Sequence, residues 1–341
     1  MSLVRRMLAA GTALAVASAL ASSPVAAPAA DARQPCAGIE SVAAVAGGIA
    51  CTHGGDPLPV DQMGAARAVR FGNVTAPPAP CVGNGKGGRR IRVLYGYPDG
   101  TTNRSKHQKA KIKRAVALAD ANLDLATADV EGQHYRFWCD GDDTITVTPV
   151  KLVPIGDDLS YTFGDVMSSL ANQKALGLGD ENFASSRFVY AIFVDNIACC
   201  YPYGGQANLS QDDRPDPAVN ANNQEFGQRY SMIRWGLSPQ SEAEIFQHEV
   251  GHNLGAVQLS APHSSGAFHC YDGEDIMCYA DGGPYFLGGG TMTADCALQS
   301  NGLPPFDCGG DDYYAGAPLL GSYLASHWNL ASSDWLTWNS G

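Results

Sequence analysis

"SPQSEAEIFQHEVGHNLGAVQLSAPH", residues 238–263, holds the clearest helix of the chain and its clearest chemical pattern. Ser238 can cap the helix, Pro239 fits its first position, and Glu242 and Glu244 favour the positive end of the helix dipole. Gly255 supplies a left-handed stop. At about 100° per residue, Ala243, Phe246, Val250 and Leu254 gather on one face, while Ile245, His248, Glu249 and His252 gather on another. One face can pack on a sheet and the other can line a cleft. Histidines four apart project the same way, so His248 and His252 can each offer a ring nitrogen to one zinc ion. Glu249 sits to one side of them, placed to take a proton from water rather than to ligate.

Upstream, "IRVLYGYP" (91–98) is expected to form a strand, residues 105–127 a long helix and "TITVTPVKLV" (144–153) a second strand. Residues 165–176 form a further helix before "RFVYAIFVD" (187–195), an apolar, β-branched central strand. This alternation predicts an α/β fold with a largely parallel, twisted sheet. Residues 199–237 are expected to be loop with one edge strand, within which "YGGQANLS" (203–210) is placed to pair with an extended substrate. After Gly255 the chain is rich in Gly, Asp and Pro until "GSYLASHWNLASSDWLTW" (321–338), which includes a short closing helix or turns.

The ends and the charge bound the setting. Arg5 and Arg6 precede an apolar run ending in "VAAPAADA", which reads as a signal peptide over 1–30 and not as a membrane anchor, for which the run is too short. Its removal takes two of the 22 Lys+Arg and none of the 34 Asp+Glu, moving the formal charge from −12 to −14. That acidity argues against nucleic acid or an anionic membrane as partner. The one basic run, 103–114, is most simply a solvated helix face. Residues 31–88, rich in Ala, Gly and Pro, are expected to be an extension, linker or propeptide before a domain over 89–341. Ten cysteines in an exported chain suggest five disulfides. Seven of them lie beyond residue 90, so an upstream partner is needed; Cys81 is the nearest, leaving Cys36 with Cys51.

The helix is followed by "HCYDGEDIMCYA" (269–280). His-Glu-x-x-His-x-x-Gly with a later Ile-Met-x-Tyr turn resembles the metzincin clan of zinc endopeptidases, through His248, Glu249, His252, Gly255, Met277 and Tyr279. The resemblance implies a metzincin-like fold. An N-terminal subdomain would end near residue 255, and an irregular, disulfide-braced C-terminal subdomain would span 256–341. It also implies Met277 as an apolar base under the metal and Tyr279 as an oxyanion donor. The clan's third histidine is replaced by Gln258, whose neutral amide suits hydrogen bonding at the turn better than zinc. Zinc is expected on His248, His252 and His263, with "QLSAP" enlarging the loop. His269, Gln258 and an Asp are the alternatives. Cys270 is placed to pair with Cys278. Calcium is a further candidate at "FDCGGDDYY" (306–314).

These residues predict a secreted, monomeric zinc metalloendopeptidase with Glu249 as general base and Tyr279 assisting, acting on protein or peptide substrates. A proteolytically inactive binding protein on the same scaffold is one alternative. A zinc amidase acting on cell-wall peptides is another.

Overall fold

The computed structural model describes residues 40–43, 49–58, 76–140, 144–153, 162–195, 203–224 and 227–339. The expected signal peptide, Cys36, Cys199 and Cys200 lie outside these residues. Its centre is a six-stranded sheet in the order β3-β8-β9-β7-β4-β6. The strands are β3 (Asp56–Pro57), β4 (Arg90–Pro98), β6 (Val147–Leu152), β7 (Phe188–Val194), β8 (Tyr203–Ala207) and β9 (Arg229–Arg234). β6, β4, β7 and β9 run parallel, whereas β8 and then β3 add antiparallel at one edge. Two small pairs lie outside it: β1 (Glu40–Ala43) with β2 (Ile49–Thr52), and β5 (Gln133–Tyr135) with β10 (Leu336–Trp338).

Alternation along the strands divides the interior. Ile91, Val93 and Tyr95 of β4, with Val189, Ala191 and Phe193 of β7, face one layer; Leu94, Ile192 and Val194 face the other. Helix α1 (Ser105–Ala126) and helix α3 (Pro239–Leu254) cover the first face, and α2 (Phe163–Ala171) covers the second through Val166, Met167 and Leu170. Phe246 of α3 anchors the first layer, its ring stacked on Phe193 at 6.2 Å and meeting Tyr135 edge-on at 5.6 Å. Fully burying such a side chain contributes about 1.5–3 kcal/mol. The coarse expectation of a mixed α/β chain with a mostly parallel sheet is met. Several strands were not foreseen: β1, β2 and β3 lie in the stretch expected to be extension or linker, β5 follows α1, and β9 lies inside 199–237, expected to be loop with a single edge strand.

Helix α3 has the ends its sequence encodes. The Ser238 hydroxyl accepts from Ser241 N at 3.1 Å, Pro239 opens the first turn, and Gly255 closes it at φ 89°. Its last carbonyl, on Leu254, accepts from Trp328 Nε1 at 2.8 Å, so the C-terminal segment caps the helix. Beyond α3 the described residues are largely irregular, with a short helix, α4 (Pro284–Leu287), two 3-10 turns at Tyr323–Ala325 and Leu330–Ser332 where a short closing helix or turns were expected, and the disulfides Cys270–Cys278 and Cys296–Cys308. Cys81–Cys139 supplies the bond from an upstream cysteine that parity required.

Candidate metal centre

α3 turns His248 and His252 towards the same point, and their Nε2 atoms stand 3.1 Å apart. The third imidazole there is His269, whose Nε2 lies 3.2 Å from that of His252. The expected third ligand, His263, is not brought to this pair. The reason lies in local pairing: a bridge joins Ser264 to Cys270, with Ser265 N bonding His269 O at 2.7 Å and Tyr271 N bonding His263 O at 3.0 Å. These two short runs form a narrow ribbon that sends His269 to the helix and His263 elsewhere. Phe268, buried and at φ 72°, sets the bend just before His269. Such a conformation costs a non-glycine residue about 1 kcal/mol or more. Gln258 serves the turn, accepting from Asp212 N at 2.9 Å and donating to Gly255 O at 3.0 Å.

The outer nitrogens fix the tautomers. His248 Nδ1 lies 2.7 Å from the Ile276 carbonyl oxygen, which can only accept, and His269 Nδ1 lies 3.0 Å from an Asp281 carboxylate oxygen. Both rings therefore carry a proton on Nδ1, which leaves Nε2 as the atom that each can offer inward to a cation. The Nε2 atoms of His248 and His269 converge on that of His252; burial lowers the His269 pKa, but bonds to Asp281 and Asp56 outweigh it and raise it, so a cation here takes the place of the His269 Nε2 proton. A cation between the three rings satisfies all of them, and three imidazoles form a donor set suited to zinc. Burial, reinforced by His53, His248 and His269, holds His252 well below its ordinary pKa, in the neutral form a metal needs. Met277, fully buried in the turn that follows, lies against the helix: a Cβ added to Gly251 would meet its Sδ at 2.8 Å. The disulfide Cys270–Cys278 and a bond from Met277 N to Asp275 Oδ1 at 2.6 Å brace that turn.

Two residues from the N-terminal segment complete the cluster, and sequence reasoning missed both. Asp56, on β3, places Oδ1 3.1 Å from His269 Nε2 and 3.4 Å from His248 Nε2, and accepts from the Tyr279 hydroxyl. His53 lays its ring 4.1 Å from that of His252. The available signal was slight: "THGGDP" (52–57) sets a His and an Asp in a stretch otherwise dominated by Ala, Gly and Pro. Burial opposes ionisation of Asp56, but His53 and His248 outweigh it and hold the carboxyl well below its ordinary value. Burial likewise pushes His53 down to about 3.

Glu249 is fully buried beside Asp56 and His248 in a cleft also lined by Gly205, Ile245 and Ile276. Among the described residues no N–H donor reaches either of its oxygens, and burial, the charge on Asp56 and a shared proton with that carboxylate push its carboxyl well above the usual range. The edge strand foreseen within 203–210 is β8, but its free side is taken by β3, paired through Asp56↔Gly205 and Pro57↔Tyr203.

His263 belongs to a second group, with Asp272, Asp311 and Asp312. Its Nδ1 lies 3.1 Å from Asp312, 3.7 Å from Asp311 and 3.9 Å from Asp272. The region proposed for calcium contributes Asp311 and Asp312 here, whereas Asp307 is used by the backbone, accepting from Tyr313 N at 2.6 Å and Asp311 N at 3.2 Å. Burial and the neighbouring Asp275 and Asp312 push the Asp272 carboxyl up to about 10. Among the described residues no helix is long and apolar enough to cross a membrane, and the disulfides are compatible with an extracellular protein. Compared with protein-family models and with curated proteins, the sequence matches none.

Proposed function

We propose that the chain is a secreted zinc-dependent endopeptidase of metzincin type, with the N-terminal segment lying across its own active site. The observation that carries this reading is the convergence of the His248, His252 and His269 Nε2 atoms beside a buried Glu249. These three rings, not His263, are the residues that would hold zinc. When bound, zinc supplies Lewis acidity, polarising a carbonyl oxygen and acidifying water.

The chain's own residues supply the rest. β8 offers backbone N–H and C=O groups to an extended peptide, as it does to β3, and so lays a peptide beside Glu249. Glu249 takes the proton of the attacking water and returns it to the leaving amine. Tyr279 already donates to a carboxylate oxygen at this point, and the same hydroxyl can donate to the oxygen that becomes negative as the carbonyl carbon turns tetrahedral. With Asp56 in place, its oxygen occupies that position and a peptide cannot enter.

The test is Glu249→Gln, assayed on unfolded protein and on cell-wall peptides after the blocking contact has been removed by Asp56→Ala. Turnover is expected to fall by about 10²–10⁴-fold, the usual worth of a general base, while zinc content is unchanged. Zinc bound with no turnover in Asp56→Ala would overturn the peptidase reading in favour of a binding protein. Cleavage of cell-wall peptides alone would favour the amidase.

A further inference from the structure

The second histidine group is a different kind of problem from the first. Asp272 is 1 % exposed, and its Oδ2, directed at His263, has no hydrogen-bond partner among the described residues. Asp311 Oδ1, turned towards the same nitrogen, has none either. His263 Nδ1 can carry one proton, and Asp312 Oδ2 at 3.1 Å is the acceptor nearest to it. The remaining two carboxylates stand at 3.7 and 3.9 Å, beyond hydrogen-bond reach. One imidazole thus cannot satisfy three carboxyl groups. A buried carboxyl in that state either keeps its proton, as burial and the neighbouring carboxylates make Asp272 do, or gives it up to coordinate a metal. The four ligand atoms lie within 4.8 Å of one another, a span that one ion can fill.

The surroundings hold these ligands in place. The Asp307 carboxylate gathers the N–H groups of Asp311, Tyr313 and Tyr314 into a tight loop, fixing where Asp311 and Asp312 point. His263 N donates to Asp312 Oδ1 at 2.8 Å, which ties the two strands of the site together. Asp272 follows His269 by three residues on the same strap, and Gly273 N holds that strap to Thr293 O at 2.8 Å.

We propose that His263, Asp272, Asp311 and Asp312 form a second divalent-cation site, separate from the three-histidine centre, that clamps the ribbon carrying His269 to the loop at 307–314. An imidazole among carboxylates suits a borderline ion such as zinc better than calcium, which prefers oxygen alone. The site stands on its own donor set and does not depend on whether the three-histidine centre hydrolyses peptides.

Metal content of the full chain after dialysis, and melting temperature after stripping with EDTA and adding back zinc or calcium alone, test it. The native chain is expected to hold two equivalents of zinc. His263→Ala and the more exposed Asp311→Asn should hold one, while His269→Ala should lose the other equivalent. Zinc added to the stripped native chain should raise its melting temperature beyond the first equivalent, an increment missing from Asp311→Asn. One equivalent in the native chain, with both variants unchanged, would overturn the site. So would calcium uptake indifferent to His263→Ala, or a thermal gain of the same size in Asp311→Asn.

Discussion

Three imidazoles that aim their Nε2 atoms at one point set the residue-scale question of what holds them there. Because His269 contributes the third nitrogen, His269→Ala should weaken zinc binding by about 100-fold or more, as the loss of a ligand does when loss of its supporting contacts alone costs 10–100-fold. Competition against a chromogenic zinc chelator measures this, and native-like affinity would remove His269 from the set. His248, Glu249 and His252 were legible because four-residue spacing on a helix is local geometry. His269 was one of several candidates, since a choice between His263 and His269 depends on how Ser264 pairs with Cys270, and no local pattern states that register. His53 and Asp56 were not legible: their place is set by the pairing of β3 with β8, which lies far along the chain.

Among the elements, β3 is the one whose removal should change behaviour most. Its two residues pair with β8 and carry Asp56 to His248, His269 and Tyr279. Asp56→Ala removes the charged contact while leaving the backbone free to pair, so hydrolysis of an extended peptide by the full chain should rise by at least about ten-fold, roughly the 1.4 kcal/mol that weakens one charge-assisted contact. Progress curves on a fluorogenic peptide decide it, and a fall in rate would make Asp56 a working part of the centre instead of an obstruction. Strands β4 and β7 were readable as apolar runs. β9, "RYSMIR", was not, because arginine at both ends disguises a buried strand. Arg229 is 4 % exposed and satisfies its guanidinium on carbonyl oxygens of Ala221, Gln224 and Asn253, which hydropathy does not register.

Taken whole, the molecule's stability should carry the mark of a carboxyl buried at the start of α3. Glu242 Oε1 accepts from Gly236 N and Leu237 N, both at 3.0 Å, yet burial outweighs these bonds and pushes its pKa up to about 8. The folded chain thus keeps a proton that the unfolded chain gives up near its ordinary value of 4.5. The associated stability is complete below that value and is lost as pH rises through about 8. Glu242→Gln should flatten this decline, gaining on the order of 2–4 kcal/mol over the parent at pH 9 and little at pH 4. Urea unfolding at the two pH values measures the difference; equal slopes would refute it. The α/β class and the parallel sheet were legible at this scale because alternating helices and strands leave few ways to bury both faces. The irregular region after Gly255 was legible only as irregular, since its shape comes from disulfides and from single bonds such as that of Trp328 to the end of α3. The Cys81–Cys139 bond also governs how the chain can be processed. A clip between Pro57 and Cys81 opens the chain between β3 and the body, yet the new amino terminus stays stapled to the body through sulfur. A clip just past Cys81 instead yields two pieces that migrate as one until a reductant parts them, so that such a cut shows only on a gel run with thiol.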